Sequence, residues 1–195
     1  APLEATPPGW LGPDNGFHHV DIQIAYRASL LDLPPLHPAV SIITAAETAL
    51  GDLDDLAPFA SERYAKLPGI TPERLTARYR GWARDLVAAN PDWCAAVVQD
   101  GTTAGDVFGA PASRHAEFIL AASSLQSRTP GLAIYLAAAH LFRANGASRM
   151  APALSSSNLG ALNAHVALKC RFERATAIWI RMRDSRSNGS DQISG

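Results

Sequence analysis

Three arginines near the carboxyl end of the chain have the spacing of a stripe on one face of a helix. Arg171, Arg174 and Arg181 fall within about 80° of one another around a helix axis at roughly 100° per residue. Phe172 and Trp179 lie between them, and basic side chains interleaved with aromatic ones suit phosphate contacts with base stacking nearby. The pattern predicts an RNA-binding face, and a solvated amphipathic helix is the equally weighted alternative.

Arg74 and Arg78, one helical turn apart, form a second and weaker stripe of the same kind. Of the 17 basic residues only Lys66 and Lys169 are lysines. Guanidinium groups favour bidentate contacts with phosphates and carboxylates. We therefore predict that RNA is bound by five arginines: Arg171, Arg174, Arg181, Arg74 and Arg78.

Other kinds of site find less support in the sequence. No pair of histidines or of glutamate and histidine has the helical spacing of a metal site, and no serine lies in a GxSxG turn. The loop at 100–106 lacks the GxxxxGK[ST] pattern of a phosphate loop. We therefore predict no catalytic residue, no metal site and no cofactor. The six histidines are His18, His19, His37, His115, His140 and His165.

The elements that would position the arginines are predicted to be helices. Thr71 followed by Pro72 predicts the start of a helix that ends before Pro91, and Gly146 predicts the end of another. The expected fold class is mainly α, a bundle-like core with an extended amino-terminal arm at 1–37, a core domain at 38–184 and a polar tail at 185–195. A short strand at 17–27 is the alternative for part of the arm. The predicted helices are 38–56, 58–67, 71–90, 92–99, 112–127, 130–145 and 155–184.

The two halves of the chain carry opposite charge. Residues 1–109 have a net charge of −7 and residues 110–195 a net charge of +6, although the whole chain is close to neutral at −1. Such a chain can associate head to tail with its own copies, while its basic half faces a polyanion. Chance clustering on a solvated surface is the alternative. No run of about 18 apolar residues is present, so we expect no membrane partner.

Three short segments resemble the coat proteins of flexuous filamentous RNA viruses. They are Tyr79-Arg80-Gly81-Trp82, Pro91-Asp92-Trp93 and Asp106-Val107-Phe108-Gly109. The content of 14 Pro, 36 Ala and 15 Ser is also similar to that of genome-coating proteins of fungal viruses. The resemblance implies a self-assembling coat (capsid) protein, not an enzyme, that packages RNA without sequence preference, with RNA and other copies of itself as partners. The expected location is the virion or the host cytoplasm.

Two other functions stay open. One is a small helical enzyme or ligand-binding domain, with an apolar pocket between 71–90 and 130–145 lined by Tyr79, Trp82, Tyr135 and His140. The other is a secreted effector or adaptor in which Cys94 and Cys170 form a disulfide. Buried free thiols are the favoured interpretation of the two cysteines.

Overall fold

A computed structural model describes residues 8–47, 50, 62–113 and 115–182. The described residues form a single sheet with helices on both faces, and short 3-10 turns connect several elements. In chain order the elements are β1 (Phe17–Ser29), β2 (Val40–Thr44), α1 (Pro72–Ala89), β3 (Cys94–Gln99), β4 (Thr102–Ala112), β5 (His115–Ser123), α2 (Gly131–Ala144), β6 (Arg149–Met150), β7 (Ala153–Ser155), α3 (Leu159–Ala167) and β8 (Arg171–Arg181).

The sheet combines an antiparallel meander with a second antiparallel group of strands. Strands β2, β3, β4 and β5 pair in that order, each antiparallel to the next. Strand β5 then pairs with β6 in parallel. Strand β1 is antiparallel to β6 and β7 along one edge and to β8 along the other. The parallel contact between β5 and β6 is therefore the junction of the two groups.

The prediction of a mainly α fold is wrong. Within 92–99, 112–127 and 155–184 the structure contains the strands β3, β5 and β8, although helices were expected there. The predictions followed alanine, the best helix former, but propensity is a weak prior that tertiary pairing overrides. Strands buried on both faces also lose the alternation that would reveal them, as in β3, where the four residues from Cys94 are all buried.

The two central helices occupy the ranges predicted for them. Helix α1 begins after Thr71, whose hydroxyl accepts a hydrogen bond from the backbone N–H of Arg74 at 3.4 Å. Helix α2 is followed by Gly146 at φ 87°, a left-handed conformation that favours glycine. Residues 17–29, most of which match the alternative strand, form β1 inside the sheet rather than an arm. Within the predicted helix 38–56 the structure has strand β2 at Val40–Thr44, so this prediction is wrong there, and 48–49 and 51–56 lie outside the described residues. The whole tail 185–195 also lies outside them.

Helices α2 and α1 cover opposite faces of the sheet. Phe142 and Ile134 of α2 belong to the larger core cluster, and Leu86 of α1 packs with Phe108 of β4 in the smaller one. Helix α2 lies very close to β4, because a Cβ atom added to Gly109 would lie 2.5 Å from the ring of Phe142. A glycine is therefore required at this position for the carboxyl-terminal end of α2 to lie this close to the sheet.

The cysteines Cys94 and Cys170 are free thiols in two different core clusters, so they form no disulfide. Among the described helices, none has the length and apolar character needed to cross a membrane.

Candidate active site

The sheet opens at the junction between its two groups of strands. Strands β5 and β6 are paired over two positions only, His115 with Arg149 and Ala116 with Met150. Further along, β7 pairs with β1 and not with β5. The two parallel strands therefore part after Ala116, and a gap through the sheet separates the rest of β5 from β7. Crevices where parallel strands diverge are the usual ligand sites of open sheets.

Two cavities meet in this gap. The smaller has a volume of about 140 Å³ and extends between β5 and β7 toward Tyr79 and Trp82 of α1. The larger has a volume of about 480 Å³ and lies against the amino-terminal ends of α2 and α3. Four residues line both cavities, which places the larger and the smaller one side by side: Ala121, Tyr135, Asn158 and Ala161.

The wall of the larger cavity is formed by small and polar residues. Gly131 begins α2, and Gly160 and Ala167 lie on α3. No side chain caps α2, whose preceding residue is Pro130. The N–H of Ala133 donates to the carbonyl of Pro130 at 2.9 Å, which leaves the N–H groups of Gly131 and Leu132, both in the cavity wall, uncapped by a side chain. Uncapped N–H groups of a first helical turn favour anions.

A histidine and a tyrosine are hydrogen bonded in the wall of the smaller cavity. Nδ1 of His165 lies 2.6 Å from the carbonyl oxygen of Ala161. Because a carbonyl only accepts, Nδ1 carries the proton and Nε2 is the acceptor. Nε2 therefore accepts a hydrogen bond from the hydroxyl of Tyr26. The rings of Tyr26 and Tyr135 pack against the imidazole with centroid distances of 4.1 and 4.7 Å.

Burial keeps these three side chains uncharged. Desolvation lowers the pKa of His165, against a smaller opposing effect of its hydrogen bond to Ala161. It raises the pKa of Tyr26 well above its ordinary value and that of Tyr135 to about 12. The site therefore holds a neutral imidazole and two protonated phenols at neutral pH, a set of groups suited to passing protons.

Another part of the wall of the smaller cavity is polar. Ser155 donates a hydrogen bond to Oδ1 of Asp21 at 2.7 Å, and its oxygen lies 2.7 Å from that of Ser157. Asp21 is 2% exposed, and its Oδ2 has no hydrogen-bond partner among the described residues. Arg63 and Gln23 line the same cavity.

A further buried carboxyl lies outside the linings of both cavities. Asp106 of β4 is 3% exposed, and its Oδ1 finds no hydrogen-bond partner in the part of the chain that the structure describes. Desolvation raises its pKa to about 6. Since Asp106 pairs across the strands with Ala96 and Ala122, its neighbours along the sheet supply no polar group from their side chains.

The arginines predicted to bind RNA do not form helical stripes at one site. Arg171, Arg174 and Arg181 lie on strand β8, where Arg174 and Arg181, seven positions apart, point to opposite faces. Arg181 lies over the ring of Phe17 at 5.6 Å. Arg74 and Arg78 do share helix α1: Arg74 donates to the carbonyl of Gly69, and Arg78 lies 4.2 Å from the centroid of the Tyr64 ring. The five arginines therefore do not share the helical face on which their assignment to RNA was based, and that assignment stays a prediction.

Three of the four side chains predicted for a pocket line the smaller cavity: Tyr79, Trp82 and Tyr135. The fourth, His140, lies elsewhere, with its Nε2 2.8 Å from the carbonyl oxygen of Pro34. The sequence reasoning missed Tyr26 and His165, since no local pattern joins them. The one available signal was a lone histidine in the largely apolar segment at 159–168. No group of three or more possible metal ligands occurs in the part of the chain that the structure describes.

No protein-family model and no curated protein matches the sequence. Solved structures do. The chain is similar to a GCN5-related N-acetyltransferase from Sphaerobacter thermophilus, with a TM-score of 0.52 and 14% identity over 86% of this chain and 53% of that one. A tandem GNAT protein from the clavulanic acid biosynthesis pathway, described as without AcCoA, also has a TM-score of 0.52, with 16% identity over 91% of this chain and 60% of that one.

An acetyltransferase of the GNAT family from Colwellia psychrerythraea gives a TM-score of 0.52 and 13% identity, over 85% of this chain and 57% of that one. The chain thus spans between about half and three-fifths of the length of these structures. At such low identity the likeness shows the fold alone. The chain has the mixed α/β fold of the GCN5-related N-acetyltransferases.

This fold corrects the predicted function. The resemblance to viral coat proteins is wrong, and with it the capsid, the virion and the helical filament, because the similar structures are acetyltransferases. The expectations of a protein that is not an enzyme, of RNA as partner and of self-assembly are corrected for the same reason. The findings favour the alternative of a small enzyme or ligand-binding domain, although its pocket lies in a split sheet and not in a helical bundle.

Proposed function

We propose that this chain forms an N-acyltransferase unit that transfers an acetyl group from acetyl-CoA to an amine. The observation that carries the proposal is the gap between β5 and β7, in which two cavities meet beside a buried Tyr26–His165 pair. The similar structures are described as N-acetyltransferases or as GNAT proteins, one of them in relation to AcCoA, which supports this choice of reaction.

The larger cavity fits the donor. Its volume of about 480 Å³ is within the roughly 300–1,000 Å³ of small-molecule and cofactor sites. The uncapped start of α2 suits the phosphates of CoA. On the side of β5 that faces β7, no described strand pairs with it beyond Ala116. The peptide groups of this edge are therefore available to the amide groups of the pantetheine chain, as an exposed strand edge binds an extended ligand.

The reaction requires that the amine lose a proton and that the leaving sulfur gain one. Bound acetyl-CoA would supply a thioester, whose carbonyl carbon is open to attack by an amine. The chain must therefore handle protons in the gap and exclude bulk water from it. Tyr26 and His165 are groups that can exchange protons, and at 2% and 1% exposed they are shielded from bulk water.

The Tyr26–His165 pair can move a proton in either direction. The phenol oxygen can accept a proton from the incoming amine while its own proton passes to Nε2 of His165. Since burial lowers the pKa of His165, the imidazolium so formed is a stronger acid than an exposed one and returns the proton to the phenol more readily. Tyr26 thus faces the reacting groups, and His165 acts through it.

Calorimetric titration with acetyl-CoA tests the donor site. Ala167 is exposed and lines the larger cavity, so Ala167→Trp should weaken binding at least tenfold. Val166, the neighbouring residue on α3, is 62% exposed and lies outside the described cavities, which makes Val166→Trp the matched control. If acetyl-CoA does not bind, or if both variants weaken it equally, the proposed donor site is wrong. Release of free thiol with a panel of amines, followed colorimetrically, then tests transfer itself.

A further inference from the structure

A third cavity lies between the amino-terminal end of α2 and the loop that joins β1 to β2. Its volume of about 460 Å³ is within the roughly 300–1,000 Å³ of ligand sites. We call it the proline groove, because prolines of that loop and the proline before α2 line it. His37 is the one polar side chain among the described residues of its lining. The apolar ones include Pro35, Pro38, Val40, Pro130, Ala133 and Leu136.

The proline groove is continuous with the larger cavity at the first turn of α2. Gly131 and Tyr135 line the larger cavity but not the groove, Ala133 and Leu136 line the groove but not the larger cavity, and Leu132 lines both. At roughly 100° per residue, Leu132 lies between these two pairs around the helix axis. Leu132 is 39% exposed, so a molecule that extends from one cavity into the other covers an apolar side chain.

The loop that forms the other wall of the groove is fixed in place. Nε2 of His140 on α2 donates a hydrogen bond to the carbonyl oxygen of Pro34 at 2.8 Å, and the N–H of Val40 donates to the carbonyl of His37 at 2.8 Å. Leu36 packs against the larger core cluster. The prolines restrict the loop further. The groove is therefore formed before a ligand arrives, which lowers the entropic cost of binding.

His37 supplies a hydrogen-bond donor to this apolar groove. Its Nδ1 accepts from the N–H of Ala39 at 3.2 Å, so Nε2 carries the proton of the neutral imidazole and is able to donate it. The walls suit a flat apolar face, and His37 suits an acceptor nitrogen at the edge of a ring. A purine base has both, since its face stacks on side chains and its ring nitrogens accept hydrogen bonds.

We propose that the proline groove binds the purine base of the CoA donor, with the edge of the base toward His37. This inference rests on the proposed function, since it extends the donor site beyond the larger cavity. The order of groups carries it: in CoA the phosphates lie between the pantetheine chain and the base. In the protein the uncapped N–H groups of Gly131 and Leu132 lie between the larger cavity and the groove.

The first test compares two thioesters by calorimetric titration. Acetyl-dephospho-CoA contains the base, whereas acetyl-phosphopantetheine ends at its phosphate. We expect acetyl-dephospho-CoA to bind at least tenfold more tightly, because the base covers Leu132 and fills the groove. Equal affinity of the two thioesters would overturn the inference.

Variants then assign this preference to the groove. Ala133→Trp fills the groove with an indole ring and should abolish the preference, while the affinity for acetyl-phosphopantetheine stays within twofold. Ala144→Trp is the matched control, because Ala144 is an exposed residue of the same helix outside all three cavities. His37→Phe keeps a ring without the donor and should reduce the preference about threefold. A preference that survives Ala133→Trp would refute the inference.

The wild type allows a test that needs no variant. Etheno-CoA has a fluorescent base, and acrylamide quenches that fluorescence wherever the base is open to solvent. In the groove the base should be quenched at least threefold less efficiently than in free etheno-CoA. Quenching that is equal in the bound and the free compound would show a base in solvent and overturn the inference.

The inference and the proposed function fail in different ways. If acetyl-phosphopantetheine binds as tightly as acetyl-dephospho-CoA, the purine site is wrong and the acyltransferase proposal stands. If none of the thioesters binds, the proposed function is wrong and the purine site falls with it.

A second copy of the chain is the other occupant that an apolar groove suggests. Light scattering of the wild type and of Ala133→Trp tests it. A wild-type dimer that becomes a monomer in Ala133→Trp, with the preference between the thioesters unchanged, would make the groove an interface between copies and overturn the inference.

Discussion

Tyr26 and His165 are separated by 139 positions in the chain, and yet the hydroxyl of Tyr26 donates a hydrogen bond to Nε2 of His165. Tyr26 lies on β1 and His165 on α3, so the bond joins the two elements beside the gap in the sheet. Both side chains are almost fully buried, and each would lose its polar partner without the other. The pair is therefore both a structural contact and the proposed proton-handling group of the site.

Tyr26→Phe should lower kcat by about 10²- to 10⁴-fold, the usual contribution of a positioned acid or base. Affinity for acetyl-CoA should stay within twofold, because Tyr26 is not part of the larger cavity. The variant also leaves Nε2 of His165 buried without a donor, which costs about 1–3 kcal/mol of unfolding free energy. Steady-state kinetics and urea unfolding measure the two effects. Tyr64→Phe, which lies outside both cavities, is the control, and a kcat unchanged in Tyr26→Phe would contradict the mechanism.

His165 should make the protein less stable at acid pH. Burial lowers its pKa in the folded state, so below an unfolded value of about 6.5 the unfolded chain binds the proton more readily. The free energy of unfolding is therefore at its full value above about pH 6.5. It decreases as the pH falls from there toward the pKa of the folded state. Urea unfolding of the wild type and of His165→Gln from pH 7.5 to 5 measures this. The difference in unfolding free energy between the wild type and His165→Gln should decrease on acidification. A difference that stays constant from pH 7.5 to 5 would contradict a lowered pKa of His165 in the folded state.

Asp106 should have the opposite dependence. Its pKa rises from about 3.8 to about 6 on folding, so the folded state binds the proton more readily and stability is lost as the pH rises between these values. Two units correspond to about 3 kcal/mol. Asp106→Asn should therefore stabilise the protein by up to about that amount at pH 7 and by much less at pH 4, as measured by urea unfolding. The exposed Asp92→Asn is the control. A gain that is equal at both pH values would argue against an ionised, desolvated carboxyl.

Gly109→Ala should displace α2 from the sheet. The new methyl group would lie 2.5 Å from the ring of Phe142 and 3.0 Å from the carbonyl oxygen of Glu117. Such overpacking costs typically about 1–3 kcal/mol. Gly81→Ala is a matched control, because it lies within helix α1 with no atom within 4 Å of the added carbon, and alanine there should stabilise by about 1 kcal/mol. Thermal unfolding compares the stability of Gly109→Ala with that of Gly81→Ala. Equal changes in the two variants would show that Gly109 leaves room for a methyl group beside Phe142.

Part of the candidate site could be predicted from the sequence. The apolar stripe of α1 and the apolar helix α2 supplied Tyr79, Trp82 and Tyr135, because helical periodicity is a local property that one segment expresses alone. The polar wall could not be found in this way. Arg63, Ser155 and Asp21 come from three segments that only the sheet brings together.

The sequence alone determined where helices α1 and α2 begin and end, through Thr71, Pro72 and Gly146, since caps and breakers act on their nearest neighbours. Only the tertiary structure decided that 115–123 and 171–181 are strands. Residues 115–123 include three alanines, and 171–181 place their arginines at helical spacing, so these local patterns favoured helices. The backbone hydrogen bonds that make both segments strands are formed with distant partners, β4 and β1. The gap beside β5 arises in the same way, because it depends on which edge β7 pairs with, and no residue of β5 encodes that choice.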